Sequence, residues 1–112
     1  NKKDKIYILE IDGKLVGSVA IYDNEIDDLI VGKSYQRAGY GEALLQFAIS
    51  HMQSNNISPI VLHVADWNQG AIKMYMKNGF AIVKTEETSE ISHFMTFIKY
   101  HPSFSVNSNL YT

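Results

Sequence analysis

Apolar and polar residues alternate along the first third of the chain and then fall into helical spacing, and this change of period divides the sequence into elements. Ile6 to Ile11 and Leu15 to Tyr22 are rich in β-branched and aromatic residues and flank Asp12-Gly13. That dipeptide tolerates the positive φ angles of a tight turn, so the pair is predicted as an antiparallel hairpin. A turn at Asp23-Asn24 leads into a third strand, Ile26 to Val31, which runs straight into Gly32 and a glycine-containing loop. From Tyr40 onward Leu44, Leu45, Ala48, Ile49 and Met52 share one helical face, opposite Glu42, Gln46, Ser50 and Gln53. This amphipathic helix is expected to end near Asn55-Asn56.

Pro59 opens Ile60-Val61-Leu62-His63-Val64, an almost wholly apolar run of the kind expected for a strand covered on both faces. Strand, helix and strand then form a crossover unit. A second helix is predicted from Asn68 to Asn78, with Ala71, Ile72, Tyr75 and Met76 on one side, Lys73 and Lys77 on the other, and Gly79 as its C-terminal cap. Phe80 to Val83 and His93 to Lys99 read as two more strands, joined by the polar Thr85-Glu86-Glu87-Thr88-Ser89-Glu90; the tail after Pro102 has no clear period.

At 112 residues the chain has room for one domain, 1–112, with one sheet and a few helices. It is 46% hydrophobic and 20% charged, an ordinary balance for a packed globule, and no apolar run approaches the roughly 18 residues of a membrane span. A net charge of −2 argues against broad electrostatic binding of nucleic acid, so any anion site must be local. With no cysteine there is neither a disulfide framework nor a thiolate metal site, which suits the cytoplasm. His51, His63, His93 and His101 show no metal-ligand spacing, so no metal is expected; His51 and His63 read as ordinary helix-end and strand residues.

The candidate chemistry lies in two segments. In Gln36-Arg37-Ala38-Gly39-Tyr40-Gly41, two glycines precede a helix. Such a loop lets backbone approach a ligand without Cβ obstruction, and the first helical N–H groups with the helix dipole can hold a phosphate. The same glycines can also serve only to turn a strand into a helix. Neither a P-loop ending nor the third glycine of a dinucleotide fold is present. In the second segment, Asn68 and Tyr75 are seven residues apart in Leu62 to Phe80. By themselves they read equally as a helix N-cap and a core aromatic.

Val31, Gln36, Gly39 and Gly41 in the first segment, and Leu62-His63-Val64, Asn68, Ala71, Tyr75 and Gly79-Phe80 in the second, resemble the two acetyl-CoA segments of the GNAT superfamily of N-acetyltransferases. The first segment departs from the family pattern at Lys33, where Pro is common, and at Arg37, where Gly is frequent. The resemblance covers roughly Ile6 to Tyr100. It implies an α+β fold with a mixed, largely antiparallel sheet flanked by helices, whose central parallel strands splay between Val31 and Val64 to admit the pantetheine arm. It further implies that Leu29, Ile30, Val31, Gln36, Arg37, Ala38, Gly39, Tyr40 and Gly41 bind acetyl-CoA, that Asn68 contacts its arm, and that Tyr75 faces the thioester sulfur.

The implied reaction is acetyl transfer from acetyl-CoA, as co-substrate, to a primary amine of a small molecule or peptide by direct attack in a ternary complex. It needs a neutral amine, a stabilised oxyanion and help for the departing thiolate. Tyr75 suits the last need. Glu25, Asp27 and Asp28 are candidate bases; Glu25 matches the family position best, and ordered water alone is the other option. Trp67 is a candidate for the acceptor channel. A non-catalytic acyl-CoA-binding or protein-interaction module of the same fold is the alternative, and a nucleotide-binding protein a third reading. The family places a strand and two helices ahead of the segment that Ile6 begins. Their absence here, with a start at Asn1-Lys2-Lys3 rather than Met, reads as a cut in a longer product. An apolar edge at Ile6 to Ile11 is then left unpaired, so a homodimer, or a partner segment covering that edge, is expected.

Overall fold

The computed structural model describes residues 5–87 and 93–100. Strands β1 (Lys5–Ile11) and β2 (Lys14–Tyr22) form the hairpin, with Asp12 and Gly13 both at positive φ in its turn. Strand β3 (Glu25–Val31) and a short 3-10 turn (Lys33–Tyr35) lead to helix α1 (Tyr40–Ser54). Strand β4 (Ile60–Ala65), helix α2 (Gln69–Lys77) and strands β5 (Ala81–Glu87) and β6 (His93–Lys99) follow. The sheet order is β1-β2-β3-β4-β6-β5, and β3 with β4 is its parallel pair, as the mixed α+β fold requires.

The core forms because α1 and α2 lie against the same face of this sheet. Leu44, Leu45, Ala48, Ile49 and Met52 of α1 join Ile72 of α2 in one buried cluster with Val19, Ile21, Ile26, Ile60, Leu62, Val64, Phe80 and Phe97. The two helices also touch each other: Glu42 accepts hydrogen bonds from Lys77 at 3.3 Å and from Asn78 at 3.0 Å. Gly17 of β2 lets α1 and β3 come close to that strand. A Cβ there would stand 2.5 Å from the Ile30 carbonyl oxygen and 2.9 Å from Leu44 Cδ1.

Three expectations are corrected. Strand β4 is not covered on both faces: Ile60, Leu62 and Val64 are buried, whereas His63 is exposed and Val61 and Ala65 are half-buried. With both helices on one side, the other face stays open, and Ile6 and Ile8 on it are 64% and 60% exposed. Met76 is also exposed, while Met74 packs on the core, because α2 leans on α1 as well as on the sheet and its inward arc centres on Ala71 and Tyr75. Finally, β5 outruns Val83. Its ladder with β6 continues through Thr85, Glu86 and Glu87, residues read as connection, because an edge strand tolerates polar side chains. Thr88 to Glu90 and the tail after Pro102 lie outside the described residues. Strand β1 is the other edge, paired among the described residues with β2 alone.

Candidate active site

Strands β3 and β4 are joined at one end only. Their ladder consists of the single pair Glu25↔Val61, fastened below by the Val61 amide on the Asn24 carbonyl at 2.8 Å and the Asn24 side-chain amide on the Pro59 carbonyl at 2.9 Å. The cause lies in β3. Ala20 pairs with Asp27 and Ser18 with Ile30, which leaves β3 one residue too many. Asp28 takes up the excess at φ 46°, its amide bonded to the Asp27 carboxylate at 2.9 Å. A bulge of this kind bends its strand. Strand β4 meanwhile stays paired with β6 from Ile60 to Ala65, so the two diverge and the β4-facing edge of β3 above Glu25 has no strand partner among the described residues.

A cleft of about 330 Å³ occupies this divergence. Asp27, Asp28 and Leu29 line it from β3, and His63 and Ala65 from β4. Trp67 and Asn68, just ahead of α2, and Tyr75, near its far end, close it. Asn68 caps that helix, its side-chain oxygen accepting the Ala71 amide at 3.2 Å. An N-cap uses the side-chain oxygen only, so the two amide hydrogens of Asn68 are left over for a ligand. Tyr75 is packed between Phe80 and Phe97, with ring centroids 6.1 and 5.9 Å away, and burial pushes its phenol above the ordinary value. Its hydroxyl therefore stays protonated, a donor, throughout the neutral range. Trp67, 70% exposed, stands at the rim.

Glu25 does not line this cleft. It sits at the foot of the split, half-buried, with its carboxylate 3.8 Å from His63 Nε2. The other ring nitrogen of His63 lies 3.1 Å from the Thr96 hydroxyl. The carboxylates on the cleft itself are Asp27 and Asp28.

A second groove, about 480 Å³, opens at the start of α1 and is lined by Arg37, Gly39, Gly41, Gly70, Lys73 and Lys77, with Glu42 and Met74 between them. Gly39, at φ 88°, precedes the helix, and no side chain caps it. The first intrahelical bond runs from the Ala43 amide to the Gly39 carbonyl, so the amides of Tyr40, Gly41 and Glu42 fall ahead of the ladder. Arg37 adopts φ 66°, a left-handed conformation at home for glycine, so its side chain is retained despite backbone strain of about 1 kcal/mol. Glu42 opposes an anion here, since hydrogen bonds from Asn78 and then Lys77 hold its carboxyl below the ordinary value and keep it ionised; the Lys77 contact at 3.3 Å offsets part of that charge.

The remaining candidate residues line neither opening. Gln36 is occupied in donating its side-chain amide to the Val31 carbonyl at 3.1 Å; Ala38 is exposed; Tyr40 meets Tyr35 edge-on at 6.3 Å; Ile30 is 56% exposed on the open face of the sheet; Val31 is packed partly into the core. Sequence reasoning missed Lys73 and Lys77 as groove residues, although their spacing of four on the polar face of α2 was the available signal. It also passed over His63, the one polar side chain in the apolar run of β4.

Comparison with known proteins agrees with this geometry. The sequence profile of the acetyltransferase (GNAT) family matches residues 1–80. Streptothricin acetyltransferase A of Bacillus subtilis is 30% identical over 95 residues, an alignment covering 80% of this chain and 54% of that protein. The chain thus spans about half the length of that relative. The crystal structure of a putative streptothricin acetyltransferase from Bacillus anthracis in complex with acetyl coenzyme A superposes with a TM-score of 0.75 at 24% identity, covering 85% of this chain and 61% of that one. A spermidine N-acetyltransferase from Vibrio cholerae gives a TM-score of 0.79 at 22% identity, with coverages of 95% and 70%. The sheet split at a β3 bulge, the uncapped glycine start of α1 and the matched profile together identify the chain as a member of the GNAT family of acetyltransferases.

Proposed function

We propose that this chain transfers an acetyl group from acetyl-CoA to a primary amine, both substrates being bound at once. The observation that carries the reading is the divergence of β3 from β4 beside an uncapped helix start. The unpaired edge of β3 over Leu29 to Val31 offers backbone donors and acceptors to an amide-bearing arm such as pantetheine. The amides of Tyr40, Gly41 and Glu42, with Arg37, Lys73 and Lys77 around them, suit a diphosphate even on an acidic protein. Asn68 donates to the arm through the hydrogens its capping role leaves over, and Tyr75 donates to the sulfur as it departs. Glu25, with Asp27 and Asp28 nearby, supplies negative charge that draws a cationic amine to the cleft.

A direct assay tests this. The protein is incubated with acetyl-CoA and, in turn, streptothricin, spermidine and a peptide with a free amino terminus, and N-acetylated product is sought by mass spectrometry. Product with at least one amine is the expected result. Coenzyme A binding without transfer to any amine would favour a non-catalytic acyl-CoA-binding module instead.

A further inference from the structure

We infer that His63 is the atom-level proton acceptor for the incoming amine, with Glu25 and Thr96 fixing its ring; this rests on the acetyl-transfer reading above. Strand β4 brings His63 to the cleft that Tyr75 and Asn68 also line, so the histidine and the proposed sulfur-side donor face one space from two walls. Its ring is held on both sides, by Thr96 of β6 at Nδ1 (3.1 Å) and by Glu25 of β3 at Nε2 (3.8 Å). In the tautomer that donates Nδ1–H to the Thr96 hydroxyl, Nε2 keeps its lone pair and turns it toward Glu25. A gap of 3.8 Å is too long for a hydrogen bond and suits a donor seated against both atoms, either an ammonium or a water.

Glu25 from β3 and Thr96 from β6 stand beside the imidazole, and Asp27, Asp28 and Tyr75 line the same cleft. The sequence balances as follows. The ammonium of the acceptor gives one proton to Nε2, and the freed nitrogen lone pair forms the C–N bond at the thioester carbonyl. The C–S bond then breaks, and the thiolate, held by the Tyr75 hydroxyl, ends protonated by the second proton that nitrogen loses. His63, whose side chain is 43% exposed, returns its own proton to solvent.

The test uses His63→Ala and His63→Gln with n-butylamine, 1,4-diaminobutane and an alanyl tripeptide as acceptors. A positioned general base contributes on the order of 100-fold, so kcat/KM of both variants at pH 7 is expected to fall by about that factor. Coenzyme A affinity, measured without acceptor, is expected to hold. The deficit should narrow as pH rises, because hydroxide and free amine replace the missing base, and added imidazole should restore part of the rate of His63→Ala. Gln keeps a side-chain amide near Thr96, so a merely structural role would leave His63→Gln near the unaltered rate and imidazole without effect; either finding would overturn the assignment. If the unaltered protein acetylates none of the three amines, the transfer reading itself falls, and this one with it.

Discussion

Tyr75→Phe is expected to reduce acetyl transfer about 100-fold while leaving coenzyme A affinity unchanged, because the substitution removes one hydroxyl and nothing else from a packed ring. The ring contacts with Phe80 and Phe97 do not involve that oxygen, so the fold and the cleft wall persist. The size of the effect follows from relative acidity. A free phenol near pKa 10 is already a weaker acid than a thiol near 8.5, a gap of about 2 kcal/mol against full proton transfer, and burial raises the Tyr75 phenol further. In the proposed reaction Tyr75 is a hydrogen-bond donor that strengthens its hold as charge gathers on sulfur, which places the expected loss toward the lower end of acid–base effects. The sign of the pH dependence follows as well. A folded-state pKa raised above the unfolded value of about 10 contributes stability that is present below that pH and lost as pH climbs above it, so Tyr75→Phe should flatten the alkaline limb of a stability profile. Steady-state kinetics beside isothermal titration of coenzyme A separates the two quantities. A parallel fall in affinity and turnover would mean that the hydroxyl binds rather than catalyses.

Phe97→Ala is expected to produce the largest loss of stability, about 4 kcal/mol, a large share of the 5 to 15 kcal/mol typical of a domain. Phe97 on β6 is fully buried, opposite Leu62 of β4, and its ring supports that of Tyr75 at 5.9 Å. Truncation leaves a void beneath the cleft, bordered by two helices and the central strands, with little freedom to collapse. Phe97→Leu keeps most of the volume and should cost about 1 kcal/mol. In that variant the fold survives while Tyr75 loses its edge-to-face support, so turnover should fall more than stability does. Urea denaturation of the two variants measures this, and a loss below about 1 kcal/mol for Phe97→Ala would contradict the core described above.

The parts of this molecule written in local pattern were legible: the Asp12-Gly13 hairpin, the five inward residues of α1 and the Gly79 cap all follow from short-range rules. What the sequence hid was relational. The bulge that parts β3 from β4 rests on Asp28 accepting a positive φ, and Asp27-Asp28 in a strand gives no sign of where its partner will be lost. The apolar run of β4 suggested burial on both faces because Val61 and Ala65, which border open space, are chemically like the buried Ile60 and Leu62. His63 looked ordinary for the same reason, since its meaning comes from Glu25 and Thr96, thirty-eight and thirty-three positions away. The family resemblance carried the fold, and the N-cap at Asn68 was among the readings its residue type offered; the groove lysines and the displacement of Glu25 from the cleft became visible only in three dimensions.

Amide hydrogen exchange with and without coenzyme A tests the central claim most directly, because that claim is that an arm and a diphosphate lie along one unpaired strand edge and one uncapped helix start. The account predicts that coenzyme A slows exchange over Leu29 to Val31 and over Tyr40 to Glu42, and that ATP at the same concentration leaves the strand segment unchanged. Protection confined to other parts of the chain, or equal protection of the strand by ATP, would contradict it.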